Sequence, residues 1–481
     1  MSMSSSRLVI AGLSGDSGKT IASLSFLTAL KRKGLAVSVF KKGPDYIDPA
    51  WLSRAAQASC RNLDTWMVDR DDVLRSFVDH SGDGIAVVEG NRGLYDGKDP
   101  AGTHSTAELA KLIDAPVVLV VNTTKTTRTA AAIVKGCIDF DPGVKIAGVL
   151  LNRVAGTRHA GIITETIERY CNVPVVGAIP KLGADSALIP GRHLGLVTPE
   201  EFDNEKGLRS ALIDIAERYI DVDRMIDIAG KAGPVPTPRS GAEPSPAALS
   251  GGKATIGYFS DQVFTFYYPE NLEALEAAGA KLVAVSSLSG RKLPRIDALY
   301  IGGGFPETHA EQLVGNRSMM DSVGTAAADG MPVYAECGGL IYLARSLKCG
   351  DKVYPMSGVF PVDLEMHPKP VGHGYTSIRV DTPNPFFAVD TVLRGHEFHY
   401  SGPVAGAADV ASCMAVETGV GFGKTRDGLV KGNTLACYCH IHADGVKQWA
   451  SSVVSRAAEY AAAKGRGRSD DGGLSIKSVA P

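Results

Sequence analysis

The chain has 481 residues, of which 44% are hydrophobic and 21% are charged, and its formal net charge is −2. This composition is that of an ordinary globular protein, and the length favours two to four domains. A net charge so close to zero gives no overall attraction to nucleic acid or to an anionic membrane, so neither is expected as a partner. No apolar stretch approaches the ~20 residues that a transmembrane helix needs.

Cysteine usage and the first residues favour a cytoplasmic location. The eight cysteines have no spacing that suggests a disulfide framework. Residues 1–6 read MSMSSS and contain no apolar core of the kind that a signal peptide carries. We therefore expect a reduced, cytoplasmic protein.

Residues 7–228 alternate short apolar runs with helical patterns. The runs that we predict to be buried strands are 8–11, 36–40, 85–88, 116–121, 146–151 and 175–179. Such an alternation is typical of a doubly wound parallel sheet with helices on its faces. We assign residues 1–228 to a first α/β domain.

A glycine-rich segment, GLSGDSGKT at residues 12–20, joins the first predicted strand to the first helix. It predicts a phosphate-binding loop, in which backbone N–H groups surround the phosphates, Lys19 neutralises their charge and the Thr20 hydroxyl reaches Mg²⁺. The alternative is a plain surface turn. We expect ATP rather than GTP, because the chain has no guanine-reading Asn-Lys-x-Asp string. The predicted nucleotide-binding residues are Gly12, Gly15, Asp16, Ser17, Gly18, Lys19 and Thr20.

Two carboxylates follow predicted strands of the same sheet. Asp45 comes shortly after the strand at 36–40, and Glu89 directly follows the strand at 85–88. The carboxyl ends of the strands border the ligand crevice of a doubly wound sheet. Since carboxylate oxygens suit Mg²⁺ held jointly with phosphate oxygens, we predict Thr20, Asp45 and Glu89 as metal ligands. The alternative is a pair of solvated surface carboxylates.

The composition changes to Pro, Gly, Ser and Ala after the first series of elements. We interpret residues 229–252 as a semi-extended linker. A second α/β series follows over 253–463, and the Gly-, Ser- and Asp-rich residues 464–481 are predicted to be a disordered tail. The sequence therefore predicts two doubly wound α/β domains.

The segment VYAECGG at 333–339 places Cys337 between an apolar strand and a glycine pair that opens a helix. Such a strand-to-helix elbow holds one thiol at the carboxyl edge of a sheet, where backbone N–H groups favour the thiolate and a developing oxyanion. The alternative is a small buried cysteine at a strand end.

Two other segments supply the groups that a nucleophilic cysteine needs. The run LYIGGGFPE at 299–307 reads as a strand that ends in glycines, whose amides would complete an oxyanion hole opposite Cys337. The run ACYCHIH at 436–442 reads as a late strand, and His440 at its edge would serve as the base. The predicted catalytic pair is Cys337 and His440.

Neither histidine-rich segment predicts a zinc site. Strand alternation over 436–442 puts two cysteines on one face and two histidines on the other, so the four side chains cannot close one tetrahedral site. In HEFHY at 396–400 the second histidine comes one position too early for the zincin signature, and Tyr400 occupies the required place.

Taken together, these segments resemble the cobyrinate a,c-diamide synthase family. The elbow cysteine, the glycine-rich Pro-Glu turn and the Tyr-x-His string resemble its class I glutamine amidotransferase domain. The loop at 12–20 has one residue more than G-x₄-G-K-T and resembles that of dethiobiotin synthetase. The strings KGPDYIDP at 42–49, SCRNLDTWM at 59–67 and GHEFHYS at 395–401 resemble further family motifs. The resemblance covers nearly the whole chain outside the linker and the tail.

The resemblance implies two coupled reactions. Glutamine would be hydrolysed in the C-terminal domain, with Cys337 forming a glutamyl thioester and His440 as its base. In the N-terminal domain ATP would phosphorylate the a and c acetates of a corrin-type tetrapyrrole, and ammonia would convert each acyl phosphate to an amide. The oxyanion and glutamine-binding residues would be Gly303, Gly304, Gly338 and Glu307, and the acceptor-binding residues would be Tyr46, Asp48, Asn91 and Arg92.

One departure from the family concerns the catalytic base. Ordinary amidotransferases carry His-x-Glu, whereas the third position here is His442, so the residue that orients His440 is not identified.

A second departure concerns the acceptor. The family string after the Glu89 position often reads Gly-Val-Met-Gly-Leu, and here Arg92 takes the place of the methionine. This looks like the branches that amidate sirohydrochlorin-derived rings, such as siroheme or nickel-sirohydrochlorin, where an arginine would pair with an acceptor carboxylate. The alternative is a local pairing of Arg92 with Asp96 or Asp99.

Two rival functions explain less of the sequence. A P-loop ATPase of the regulatory or partition type would leave Cys337 and His440 without a role. A ligase that uses carbon dioxide, as dethiobiotin synthetase does, would leave the second domain unexplained. The expected partners are glutamine and a carboxylated tetrapyrrole. Several rings and central metals, either order of amidation, and either a monomer or a homodimer are compatible with these motifs.

Overall fold

The computed structural model describes residues 6–182, 188–192, 195–239, 254–404 and 410–465. These residues form two compact units. The first unit contains the described residues up to Arg239 together with Phe266–Glu270 and Arg394–His396, and the second contains the other described residues from Ala254 onward. Among the described helices, none is long and apolar enough to cross a membrane.

The first unit is built on a seven-stranded sheet in which all neighbouring strands are parallel. The strands and the helices between them are β1 (Ser6–Gly12), α1 (Lys19–Arg32), β2 (Val37–Lys42), α2 (Ile47–Ala56), β3 (Cys60–Leu63), α3 (Arg70–His80), β4 (Ile85–Glu89), α4 (Thr106–Leu112), β5 (Val117–Asn122), α5 (Arg128–Phe140), β6 (Ile146–Val154), α6 (Thr157–Cys171) and β7 (Val175–Pro180). The strand order is β3-β2-β4-β1-β5-β6-β7. The predicted doubly wound parallel sheet is confirmed, and all six predicted strands are present.

Strand β3 was not predicted from the sequence. Its four residues include Arg61 and Asn62, so it carries no apolar run, and it lies at the end of the strand order beside β2. The elements after β7 are β8 (Gly191–Arg192), β9 (Gly195–Leu196), α7 (Glu205–Tyr219) and α8 (Val222–Gly230).

Apolar side chains hold the sheet on both faces. Leu8, Val9 and Ile10 of β1 are successive residues and all are fully buried. Because helices cover both faces, a central strand is continuously apolar instead of alternating. Burial of such side chains contributes roughly 1.5–3 kcal/mol each. The neighbouring strands β1, β2 and β4 then deliver the residues that follow them to one edge of the sheet.

The elements of the second half of the chain are β10 (Thr255–Phe259), α9 (Pro269–Ala277), β11 (Lys281–Val285), β12 (Ala298–Ile301), α10 (Ala310–Gly315), α11 (Arg317–Ala328), β13 (Val333–Glu336), α12 (Gly338–Leu343), β14 (Ser346–Cys349), β15 (Lys352–Pro355), β16 (Asp363–Met366), β17 (Gly372–Val380), β18 (Val392–His399), β19 (Ser401–Pro403), β20 (Ser412–Thr418), β21 (Arg426–Lys431), β22 (Thr434–Cys437), β23 (His440–Ile441) and α13 (Trp449–Ala463). The ten-stranded sheet has the order β11-β10-β12-β13-β22-β21-β20-β17-β18-β23.

This sheet combines two kinds of pairing. Strands β11, β10, β12, β13 and β22 are parallel, as expected for a doubly wound α/β domain. From β22 the sheet continues through β21, β20 and β17 in antiparallel pairs. A further sheet has the order β15-β14-β16-β19. The α/β core is confirmed, whereas the antiparallel extension and the four-stranded sheet were not predicted.

The prediction of one continuous strand over 436–442 is wrong. Strand β22 ends at Cys437, and Tyr438 and Cys439 separate it from β23. The carboxylate of Asp427 on β21 accepts the N–H groups of Tyr438 and Cys439 at 3.1 Å, which satisfies both amides at the break. Alternation along a single strand therefore no longer decides which side chains share a face. No group of three or more His, Cys, Asp or Glu side chains in the described ranges is arranged to hold a metal ion.

Two predicted segments lie largely outside the described residues. Of the linker predicted at 229–252, the part from 240 onward is outside them, and helix α8 continues to Gly230. The predicted tail is outside them from residue 466, and α13 ends at Ala463. The domain boundaries remain predictions.

Candidate nucleotide and glutaminase sites

The glycine-rich loop connects β1 to α1. Residues Gly15–Ser17 form a 3₁₀ turn, and Gly18 has φ = 93°, a left-handed conformation that glycine adopts without strain. A side chain at Gly18 would overlap Nδ2 of Asn152 on β6, and that same Nδ2 donates to the carbonyl oxygen of Ser17 at 2.8 Å. The loop is thus held against β6, with the N-terminus of α1 at its end, where backbone N–H groups favour anions.

Lys19 is folded back over this loop. Its Nζ donates to the carbonyl oxygens of Arg92 at 2.7 Å and Ser14 at 2.8 Å, and the residue is 4% exposed. Burial, followed by repulsion from Lys41, lowers the pKa of Lys19 to about 8. An anionic phosphate at the loop would supply the charged partner that these carbonyl oxygens do not.

A buried lysine lies between two of the predicted acidic residues. Nζ of Lys41 donates to Oδ2 of Asp48 at 2.5 Å and to Oε1 of Glu89 at 2.6 Å. The Thr20 hydroxyl donates to the same Oε1 at 3.2 Å. Lys41 is 1% exposed and Glu89 is fully buried. The structure therefore brings Thr20, Asp48 and Glu89 together around Lys41, which the sequence analysis did not single out.

Of the three predicted Mg²⁺ ligands, Thr20 and Glu89 have oxygen atoms placed as a Mg²⁺ site would need them, and Asp45 does not. Oε2 of Glu89 is buried and accepts no hydrogen bond from a described residue, and carboxylate oxygens are ligands that Mg²⁺ prefers. The Thr20 hydroxyl already points to this carboxylate. Asp45 is engaged differently, because its Oδ1 accepts the N–H groups of Ile47 and Asp48 at the start of α2. Burial, followed by repulsion from Asp48, raises the pKa of Asp45 to about 7.

Two of the residues predicted to bind the acceptor substrate, Tyr46 and Asn91, are held by contacts with neighbouring residues of the first unit. The Tyr46 ring stacks on Phe266 with centroids 5.0 Å apart and on Tyr268 with centroids 4.5 Å apart. The backbone N–H of Asn91 donates to the hydroxyl of Thr106 at 3.2 Å. Tyr46 is thus part of an aromatic cluster, and Asn91 is fixed through its backbone.

Arg92 is exposed and has φ = 51°, and its guanidinium makes no hydrogen bond or ion pair with a described residue. Asp96 instead accepts the N–H of Gly93 at 2.8 Å, and Asp99 accepts the hydroxyl of Thr103 at 2.6 Å. The local pairing that was the alternative for Arg92 is therefore not formed.

Cys337 occupies the predicted strand-to-helix elbow, between β13 and α12. It has φ = 49° and ψ = −97°, which is strained for a residue other than glycine and marks a constrained position. Its N–H donates to the carbonyl oxygen of Cys437 at 2.7 Å, which ties the elbow to the end of β22. Burial, followed by repulsion from Glu307, raises the pKa of the thiol well above its usual range. Forming the thiolate therefore requires a base.

The glycine turn after β12 lies directly against the elbow. A Cβ at Gly338 would be 2.9 Å from the backbone nitrogen of Gly304 and 3.3 Å from the carbonyl carbon of Gly303. Only glycine permits this approach of two backbones. The backbones of the two segments therefore lie side by side next to Cys337. Glu307 is close enough for its charge to act on the Cys337 thiol.

His440 is the first residue of β23 and is 2% exposed. Strands β13 and β22 are paired in register with Glu336 opposite Cys437, so Cys337 and His440 both follow the carboxyl ends of neighbouring parallel strands. Nδ1 of His440 lies 3.5 Å from Oε2 of Glu336. Glu336 directly precedes Cys337 in the chain, but no local pattern connects it with a histidine 104 positions later.

His442 stands where other amidotransferases carry glutamate. Its Nδ1 accepts the N–H of Asp444 at 3.3 Å and caps the 3₁₀ helix Ala443–Gly445. It therefore acts as a helix cap.

Comparison with known proteins assigns a family to each half of the chain. Residues 8–191 match the family described as CobQ/CobB/MinD/ParA nucleotide binding domain, and residues 255–448 match the family described as CobB/CobQ-like glutamine amidotransferase domain. The cobyrinate a,c-diamide synthase of Magnetococcus marinus is 42% identical over 447 residues, which cover 92% of this chain and 95% of the relative. That of Archaeoglobus fulgidus is 41% identical over 454 residues, which cover 94% and 97%. The chain belongs to the cobyrinate a,c-diamide synthase family.

In the GHEFHYS string at residues 395–401, the side chains of His396 and Glu397 make hydrogen bonds in buried surroundings. Nε2 of His396 and the hydroxyl of Tyr268 are 3.0 Å apart. Glu397 accepts the N–H groups of Val420 at 2.6 Å and Gly421 at 2.8 Å. These contacts satisfy backbone and side-chain polar groups in buried surroundings, which is consistent with a role in holding the fold.

Proposed function

We propose that the protein transfers the amide nitrogen of glutamine to the a and c acetate carboxylates of a tetrapyrrole, with ATP as the activating substrate. The observation that carries the proposal is the presence in one chain of a phosphate-binding loop after β1 and a cysteine elbow after β13, in a family whose two relatives above are named cobyrinate a,c-diamide synthase. A carboxylate is a poor acyl donor until one oxygen becomes a leaving group, so a synthase of this kind needs both ATP and a nitrogen source.

The second unit supplies ammonia. His440 accepts the proton of the Cys337 thiol, and Sγ bonds to the amide carbon of glutamine. The N–H groups of Gly303, Gly304 and Gly338 stabilise the resulting oxyanion. The imidazolium of His440 then gives its proton to the departing nitrogen, ammonia leaves, and water hydrolyses the thioester to glutamate. We assign Glu307 to the ammonium group of the glutamine substrate.

The first unit activates the acceptor. The loop N–H groups and Lys19 bind the phosphates of ATP, and an acceptor carboxylate oxygen takes the terminal phosphoryl group to give an acyl phosphate and ADP. Ammonia then attacks the acyl carbon and inorganic phosphate leaves. Thr20 and Glu89, with Asp45 nearby, would hold Mg²⁺, which supplies positive charge to the transferring phosphoryl group.

The acceptor carries several carboxylates, and Arg92 offers an exposed guanidinium without a local partner among the described residues. Guanidinium binds carboxylate in a bidentate manner, so Arg92 is the residue that we assign to ring recognition, with Tyr46, Asp48 and Asn91 beside it. Cobyrinate is the first candidate because the relatives are named for it. A sirohydrochlorin-derived ring is the second, since Arg92 replaces the apolar residue of the usual family string.

The decisive experiment offers the purified protein ATP, Mg²⁺, amide-¹⁵N glutamine and one ring at a time from cobyrinate, sirohydrochlorin, nickel-sirohydrochlorin and siroheme. Mass spectrometry should find two ¹⁵N-labelled amides on one ring. Cys337→Ser should abolish labelling from glutamine and retain amidation from added ammonium chloride. Failure of ammonium to restore amidation in a folded variant would contradict the division into two sites. The absence of any amide on every ring would contradict the proposed acceptor class.

A further inference from the structure

Glu336 is a buried carboxylate at the last position of β13, directly before the nucleophile. It is fully buried and accepts three hydrogen bonds. The hydroxyl of Tyr334 donates to Oε1 at 3.0 Å, the hydroxyl of Tyr300 to Oε2 at 3.2 Å, and the N–H of Ile441 to Oε1 at 3.3 Å. Both oxygens of Glu336 thus have hydrogen-bond donors beside them, the environment in which a buried carboxylate is satisfied.

A buried carboxylate is costly unless polar or cationic partners offset its lost hydration. The partner with a functional consequence is His440, whose Nδ1 lies 3.5 Å from Oε2 of Glu336. Both side chains are at most 2% exposed, so the interaction is little screened by water. Nδ1 of the His440 ring is thus the nitrogen that faces the carboxylate.

We propose that Glu336 is the positioning residue of the glutaminase, taking the part that the glutamate of His-x-Glu takes in other amidotransferases. It holds His440 with the proton on Nδ1 and stabilises the imidazolium that forms when Nε2 accepts the proton of Cys337. The carboxylate therefore comes from the strand that carries the nucleophile, while His442 caps a 3₁₀ helix. The inference rests on the glutaminase reaction proposed above.

Other titratable groups face this carboxylate from each neighbouring element. They are Tyr300 on β12, Tyr334 on β13, and Cys437 and Cys439 at and after the end of β22. Burial raises the pKa of Tyr334, Cys437 and Cys439 well above the usual range, so these three remain neutral between pH 6 and 9, the range of the test below.

The test compares Glu336→Gln with Asp297→Asn. Asp297 is also a buried carboxylate that accepts a backbone N–H, from Thr255 at 2.9 Å, but it precedes β12 at the opposite edge of the sheet. Glu336→Gln should lower kcat for glutamate release by about 10²–10⁴-fold, the range that a positioned general base contributes, with little change in the KM for glutamine. Amidation from ammonium chloride should be unaffected. Asp297→Asn should keep the wild-type kcat.

The pH dependence of Cys337 alkylation is a second measurement. It distinguishes a Glu336 that acts through His440 from one whose charge acts directly on the thiol. The charge of Glu336 by itself raises the pKa of the Cys337 thiol, so its removal alone would move the pH midpoint of Cys337 alkylation by iodoacetamide downward. If Glu336 instead stabilises the imidazolium of His440, and through it the thiolate of Cys337, its removal makes the thiolate harder to form and moves the midpoint upward. We expect the upward shift in Glu336→Gln and an intermediate kcat in Glu336→Asp, which keeps the charge on a shorter side chain.

The inference is overturned if Glu336→Gln releases glutamate within about threefold of wild type, or if its alkylation midpoint moves downward. If Glu336→Gln does not fold, the comparison passes to Glu336→Asp, whose unchanged kcat and midpoint would equally overturn it. Wild-type protein that releases no glutamate from glutamine contradicts the proposed function itself, which distinguishes the two failures.

Discussion

Nζ of Lys41 lies 2.6 Å from Oε1 of Glu89, and both side chains are buried. Burial raises the pKa of Glu89, while the ammonium of Lys41 acts in the opposite direction. For Asp48, the attraction and hydrogen bond of the same ammonium outweigh burial, and the pKa is lowered. One lysine thus balances two carboxylates at the edge where phosphates and Mg²⁺ are proposed to bind.

Lys41→Met should destabilise the first unit by about 3–5 kcal/mol, because it leaves two carboxylates at a buried site without their cation. Urea unfolding followed by circular dichroism measures this loss. Millimolar Mg²⁺ should recover part of it, since a hard cation can take the vacated place beside Glu89. The control is Lys135→Met, which breaks an ion pair with Asp139 whose side chains are 51% and 60% exposed, and should change stability by less than about 1 kcal/mol. Equal midpoints for the two variants would contradict the prediction.

Nucleotide binding should take up a proton above about pH 8. Lys19 has its pKa lowered to about 8 in the free protein, and bound phosphates would raise it again. Above this pH the free lysine is increasingly neutral and must be protonated on binding, so the affinity for ATP should fall by up to about tenfold per pH unit. Calorimetry in two buffers with different ionisation enthalpies measures the uptake. Lys19→Met should bind more weakly and lose the uptake, and an unchanged uptake would exclude Lys19 as its source.

Gly304→Ala should impair glutamine hydrolysis by about 10²-fold or more. A Cβ at Gly304 would overlap the carbonyl oxygen of Val263, so the turn must move and misplace a proposed oxyanion donor. Gly315→Ala is the matched control, because a Cβ at Gly315, the last residue of α10, would meet no atom within 4 Å. Glutamate release measures the effect, and ammonium-driven amidation should be retained. Comparable rates in the two variants would argue against the glycine turn as part of the oxyanion hole.

Arg92→Met should raise the KM for the tetrapyrrole by roughly 10–100-fold or change the preferred ring, since a hydrogen bond to a charged group contributes about 1.5–3 kcal/mol. Glutamate release measured alone should stay at the wild-type rate. Arg218→Met provides the control, because Arg218 is 61% exposed on α7 and pairs with Asp214. Unchanged kinetics toward every ring would remove the reason for considering sirohydrochlorin-derived acceptors.

The parts of the site that could be predicted from sequence are those whose chemistry is local. The loop from Gly12 to Thr20 and the elbow at Cys337 each combine a strand, glycines and a helix within ten residues, so that a short string carries the whole geometry. The roles of Lys41 and Glu336 could not be predicted in this way, because their partners are distant in the sequence. Lys41 pairs with Glu89, 48 positions later, and Glu336 lies beside His440, 104 positions later.

The break after β22 was unpredictable for a similar reason. The string from Ala436 to His442 contains no Gly, Pro, Asn or Asp, and nothing within it requires an interruption. The side chain that satisfies the amides of Tyr438 and Cys439 is Asp427, which belongs to another strand. Local propensity was therefore overridden by a buried acceptor that only the folded sheet brings into place.

The membership of Phe266–Glu270 and Arg394–His396 in the first unit has a practical consequence for anyone who wishes to divide the gene. Tyr268 is 1% exposed within the hydrophobic core that also contains Phe40, and its hydroxyl donates to the carbonyl oxygen of Pro44 at 2.9 Å. A cut in the linker would leave the N-terminal fragment without this ring and would present the ring to water on the C-terminal fragment. The N-terminal fragment alone should therefore be less stable than the first unit of the full chain.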